Sequence, residues 1–139
     1  MFGVSHTRVP TESRPGHVAL IAGMYEDMSA VSKGWKINPL AFDSLLNQSS
    51  HSYAYGSPDI VPMFVLGTSP DKVDWQVYNE EAEDFTKDAV ELDTWVLNRM
   101  RDVFSRAQRD PKADARLRQP KTLFFLHLLG LDTTGHTYR

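Results

Sequence analysis

The feature that most constrains this chain is an unbroken apolar run near its C-terminus, Leu123, Phe124, Phe125, Leu126, His127, Leu128, Leu129, with Gly130 directly behind it. Seven residues are short for a helix. An apolar run without alternation suits a central strand covered on both faces, which implies a parallel sheet layered by helices. Sheets of that kind bind ligands beyond the carboxyl ends of their strands, so the residues that follow Leu129 are the first place to look for chemistry.

The rest of the chain supplies elements to surround such a strand. A polar loop from Ser5 to Arg14 leads into Pro15, Gly16 and the apolar stretch His17 to Met24. Proline is favoured in a first helical turn, so a helix is predicted from Pro15 to about Tyr25. Glu26 to Asn47 is mixed, with Gly34 and Pro39 as breakers and a short helix predicted over Leu40 to Leu46. Ser52 to Tyr55 and Val73 to Tyr78 read as short strands, the first closed by the turn Gly56, Ser57, Pro58. From Asp84 to Ala107 the helical period places Val90, Trp95, Leu97, Met100, Val103 and Phe104 on a core-facing stripe. Arg109 to Pro120, charged and holding two prolines, reads as a surface loop. Met1 to Val4 resembles the tail of a buried strand. The expectation for residues 1–139 is one incomplete α/β domain.

Bulk composition removes several function classes. The net charge is −3 and the fifteen Lys and Arg are scattered, so there is no basic footprint for nucleic acid. No stretch reaches the ~20 apolar residues that span a bilayer. There is no cysteine, which leaves His, carboxylates and hydroxyls as the available metal ligands.

Two constellations carry chemistry. In Thr11, Glu12, Ser13, Arg14, Pro15, Gly16, His17 a hydroxyl stands just ahead of a helix start, where unpaired N–H groups and the helix dipole favour a phosphoryl group. The same residues also read as ordinary helix caps, and His17 as a core histidine. In Leu131, Asp132, Thr133, Thr134, Gly135, His136, a carboxylate and an imidazole follow the buried strand on one short loop, with Gly135 giving the turn; both suit zinc, although such a pair also occurs as plain turn chemistry. Asn47, Gln48, Ser49 form an N-glycosylation acceptor pattern. Trp35, Tyr53, Tyr55, Trp75 and Tyr78 read as core aromatics or as the wall of a sugar or headgroup pocket.

The stretch Gly3 to Gly23, with Val9, Pro10, Thr11, Glu12, Ser13, Arg14, Pro15, Gly16 and His17 at its centre, closely resembles the start of the catalytic domain of the GPI ethanolamine phosphate transferases. Tyr25, Glu26, Asp27, then Gly34, Trp35, Lys36, then Gly56, Ser57, Pro58, Asp59, Ile60 with Pro62, Met63, Phe64, and finally Phe124 through His136, resemble that family's later blocks in order. The resemblance implies a partial alkaline-phosphatase-like domain with a mostly parallel sheet flanked by helices. It implies transfer of phosphoethanolamine from phosphatidylethanolamine to the first mannose of the GPI anchor precursor, on the lumenal side of the endoplasmic reticulum membrane. By the same resemblance Ser13 is the nucleophile, with Thr11 as runner-up, Arg14 binds phosphate, and Asp132 and His136 ligate one of two zinc ions. The remaining ligands and the membrane spans of the family pattern are missing from these residues, so the chain alone is expected to be inactive. A phosphodiesterase of the same superfamily and a noncatalytic fragment are the alternative readings. Asn47 is then expected to be glycosylated.

Overall fold

The computed structural model of the 139-residue chain describes residues 2–4, 6, 8–25, 43–79 and 89–137. The predicted helix over Leu40 to Leu46 lies partly outside them; so do the first turn expected from Asp84, most of the mixed stretch after Tyr25, and Trp35.

The described elements run α1 (Ser13–Ala22), α2 (Leu45–Gln48), β1 (His51–Gly56), α3 (Val61–Val65), a 3-10 turn (Pro70–Lys72), β2 (Val73–Val77), α4 (Val90–Ala107), α5 (Pro111–Leu117), β3 (Thr122–Leu126) and α6 (Gly130–Thr137). The three strands form one sheet in the order β2-β1-β3, and both pairings are parallel. This is the α/β arrangement of a parallel sheet flanked by helices.

Alternation along the strands sorts side chains to two faces. Ala54 of β1 and Leu123 and Phe125 of β3 join Val18 and Ile21 of α1, Leu46 of α2 and Val61, Met63, Phe64 and Val65 of α3 in one core cluster. Tyr53 and Tyr55 face the other way and pack with Leu92, Val96, Met100 and Val103 of α4. All six residues of β1 are buried. Register places Tyr53 beside Phe124, and their rings stack at 5.5 Å.

The central strand is therefore β1, and among the described residues β3, the apolar run, lies at an edge. Hydropathy misleads here because two tyrosines and a serine make up half of β1. Their bulk is buried while hydroxyls can be satisfied singly, as when Ser52 Oγ and Ser49 Oγ meet at 2.7 Å.

The stripe on α4 is also shifted. Leu92, Val96, Met100, Val103 and Ala107 are buried, whereas Val90, Leu97 and Phe104 are at least half exposed. These three recur every seven residues and form an apolar line beside the buried arc. Burial of each large side chain on that arc contributes ~1.5–3 kcal/mol.

Arg109 to Pro120 is not a plain loop. Asp110 accepts the Lys112 N–H at 2.9 Å and Pro111 opens α5, a pairing of N-cap and N1 residues that starts a helix locally. Phe2 and Val4 are exposed and belong to no strand, having no partner backbone among the described residues.

Candidate active site

A cleft of about 870 Å³ opens at the carboxyl ends of β1 and β3. Three pieces of chain build it. The start of α1 contributes Thr11, Ser13, Arg14 and His17, the loop after β1 contributes Ser57 and Asp59, and the segment after β3 contributes His127, Asp132 and His136. Parallel strands all end on one side of the sheet, so residues far apart in sequence converge there. The topology thus brings Ser13, Thr11, Arg14, Asp132 and His136 to one cavity.

Helix α1 starts at Ser13, two residues before the predicted Pro15, with Glu12 as N-cap and no side-chain cap. Ser13 is exposed at the positive end of a ten-residue helix. Arg14 is buried and lines the same cleft.

His17 lies one turn further on. Its Nδ1 is 2.7 Å from the Ser13 carbonyl oxygen, and since a carbonyl only accepts, Nδ1 carries a proton and donates it. The ring is partly exposed in the cleft wall rather than sealed in the core.

Asp132 and His136 sit on helix α6, not on a loop. A spacing of four on one helix face puts their side chains together, and His136 Nε2 lies 3.7 Å from Asp132 Oδ2. Gly135 contributes no turn. Two donors each ~2.0–2.2 Å from a tetrahedral zinc stand roughly 3.3–3.6 Å apart, so the donor types suit one edge of a zinc site and the observed separation of 3.7 Å is slightly wider than that edge. The number does not complete one: among the described residues no group of three or more His, Asp or Glu is placed to hold a metal.

Helix α6 is anchored from outside. Asp93 of α4 accepts the Gly130 N–H at 2.8 Å. A β-carbon at Gly130 would stand 2.7 Å from both the Ala89 carbonyl and Asp93 Oδ2. Only glycine permits this approach.

His127 is the residue that sequence reasoning passed over. It follows β3, donates its backbone N–H to Tyr55 O at 2.9 Å, and is only 6% exposed. Gly56 makes room for it: a β-carbon there would meet His127 Cβ at 2.5 Å. Its Nδ1 is buried with no hydrogen-bond partner among the described residues, an arrangement that costs ~1–3 kcal/mol. Burial foremost, and His17 next, push its pKa down to about 4, so the ring is neutral at neutral pH. The available signal was a lone polar residue interrupting an apolar run.

Asn47 lies outside the cleft, before the amino end of β1, where its carbonyl accepts from Lys72 Nζ at 3.3 Å. Tyr53, Tyr55 and Tyr78 are core residues, and neither they nor the half-exposed Trp75 line the cleft. Among the described residues no helix is long and apolar enough to cross a membrane.

Comparison with known proteins agrees with the resemblance seen in the sequence. The chain is 66% identical over 138 residues to GPI ethanolamine phosphate transferase 1 of Aspergillus fumigatus, and 62% identical over 138 residues to that of Neurospora crassa. To that of Saccharomyces cerevisiae it is 56% identical over 139 residues. No protein-family model matches it. No solved structure matches it either. Each alignment covers 99% of this chain but only 13%, 14% and 15% of the respective relative. The chain is thus homologous, along nearly its whole length, to one short segment of the GPI ethanolamine phosphate transferase 1 proteins.

Proposed function

We propose that this chain forms part of the catalytic site of a phosphoethanolamine transferase acting on the GPI anchor precursor, with Ser13 as the group that carries the phosphoryl intermediate. The observation that supports this reading is the meeting of Ser13, Arg14, Asp132 and His136 in one cleft at the carboxyl ends of the sheet.

The Ser13 hydroxyl attacks the phosphorus of phosphatidylethanolamine. A bond forms from Oγ to phosphorus, the bond from phosphorus to the diacylglycerol oxygen breaks, and that oxygen takes up a proton as diacylglycerol leaves. A hydroxyl of the first mannose then attacks the serine phosphodiester, gives up its proton, and restores the Ser13 hydroxyl. The N-terminus of α1 and the Arg14 guanidinium favour the phosphoryl oxygens. Asp132 and His136 are the pair suited to hold zinc, with further donors from outside these residues. A zinc ion held there would supply Lewis acidity, lowering the pKa of the attacking hydroxyl and neutralising phosphoryl charge. On this reading the site faces the lumen of the endoplasmic reticulum, and Asn47 is a glycosylation acceptor.

The test replaces the homologous segment of the Saccharomyces cerevisiae relative with this chain and measures phosphoethanolamine transfer to the GPI precursor in isolated membranes. Ser13→Ala is expected to reduce transfer to background while Thr11→Ala leaves it measurable. The reverse pattern moves the nucleophile to Thr11. Full activity in both variants refutes the assignment.

A further inference from the structure

We infer that His127 is a ligand-binding residue of this cleft, donating an N–H from Nε2 to an oxygen of the bound phosphoryl group. This inference rests on the phosphoryl-transfer reading and adds a residue to it.

The argument starts from what a purely structural residue would do at this position. A phenylalanine would fill similar volume between β3 and α1 and keep the edge-to-face contact that His127 makes with His17 at 4.7 Å, without burying an unpaired nitrogen. The orphaned atom is Nδ1. Buried N–H groups without partners are rarer than under-used acceptors, so the lone pair belongs on Nδ1 and the proton on Nε2. The pKa of about 4 leaves this single N–H in place at neutral pH. His17 differs in that its Nδ1 donates to Ser13 O.

Position supports the same role. His127 lines the cleft with Ser13, Arg14 and Asp132. Its backbone is tied to Tyr55, and a β-carbon at position 56 would collide with its Cβ and carbonyl oxygen, so only glycine leaves room for it there. Such restraints fix the point from which the side chain leaves the backbone, a condition for a preorganised donor toward developing phosphoryl charge.

The experiment uses the 139-residue chain with ¹⁵N-labelled histidine and backbone, titrated at pH 7 with inorganic phosphate. Before phosphate is added, the ring nitrogen shifts are expected to show the proton on Nε2 of His127. On addition, the His127 ring signals are expected to move together with the amides of Ser13 and Arg14. His127→Phe is expected to raise the phosphate dissociation constant about tenfold, the effect of losing one hydrogen bond to a charged group, and His127→Gln to restore part of it. Thermal melting of each variant separates this from loss of fold. If phosphate moves Ser13 and Arg14 but leaves the ring and the His127→Phe affinity unchanged, the role of His127 is overturned and the phosphoryl reading survives. If neither the ring nor Ser13 and Arg14 respond, the role of His127 is overturned, and the phosphoryl reading is judged by the Ser13→Ala transfer assay.

Discussion

Asp93 and Gly130, thirty-seven positions apart, are joined by a 2.8 Å hydrogen bond from the glycine N–H to the aspartate carboxylate. The bond fastens α6, which carries Asp132 and His136, to α4, which belongs to the core. A carboxylate at a helix N-terminus also complements the helix dipole. Asp93→Ala is expected to lower stability by ~1.5–3 kcal/mol, the range for a hydrogen bond to a charged group, and Asp93→Asn by less, because an amide oxygen still accepts. Urea unfolding of the three proteins checks this. An alanine variant within ~0.5 kcal/mol of the parent, the size of an ordinary surface substitution, would remove the anchor.

Gly56 carries the second tight contact near the site. Its φ is 153°, which L residues rarely adopt, and a β-carbon would press on His127. Gly56→Ala is expected to destabilise the chain by at least ~2 kcal/mol through strain and overpacking. Gly16→Ala is the contrast, since its β-carbon would meet nothing within 4 Å. Equal melting temperatures for the two variants would contradict the packing described.

Acid should weaken the fold in a defined window. The folded-state pKa of His127 lies near 4 against an ordinary 6.5, so the unfolded chain binds the proton first as pH falls. The stabilising contribution is complete above pH ~6.5 and is lost on descent toward pH 4, by up to ~3 kcal/mol in total and ~1.4 kcal/mol per pH unit at most. His51, whose pKa burial and then Arg116 also lower, acts in the same direction. Between pH 6.5 and 5, above the usual carboxylate range, His127→Phe should flatten the pH dependence of the urea midpoint. An unchanged slope would place the titration elsewhere.

Glycosylation of Asn47 should depend on when the acceptor is presented. In the folded chain Asn47 sits in α2 and Ser49 is buried, its hydroxyl held by Leu46 O at 2.8 Å and Ser52 Oγ at 2.7 Å. The hydroxyl that defines the acceptor pattern is thus already engaged. A secretory-targeted chain translated into microsomes is expected to gain one glycan that Asn47→Gln abolishes, whereas the purified folded chain exposed to the same membranes is expected to gain none. Equal modification of both would show that the folded segment opens readily.

Short-range chemistry made much of this protein legible from its residues. A parallel sheet followed from the unalternating run Leu123 to Leu129. The start of α1 was readable to within two residues, because proline and the polar loop act locally, and the placement of Asp132 and His136 on one local unit needed only their spacing. Other features depended on contacts that no local pattern encodes. Tyr53 and Tyr55 could be assigned to a central strand only once β2 and β3 were seen pairing with β1. The shift of the α4 stripe to Leu92 and Val96 required knowing which side the sheet lay on. Likewise, His127 became distinct from its apolar neighbours only when folding sealed one nitrogen and left the ring lining a cleft with Ser13. Sequence determines propensity and spacing, which act over a turn or a strand; parallel crossovers join residues more than a hundred positions apart, and burial, tautomer and shared cavity exist only after that joining.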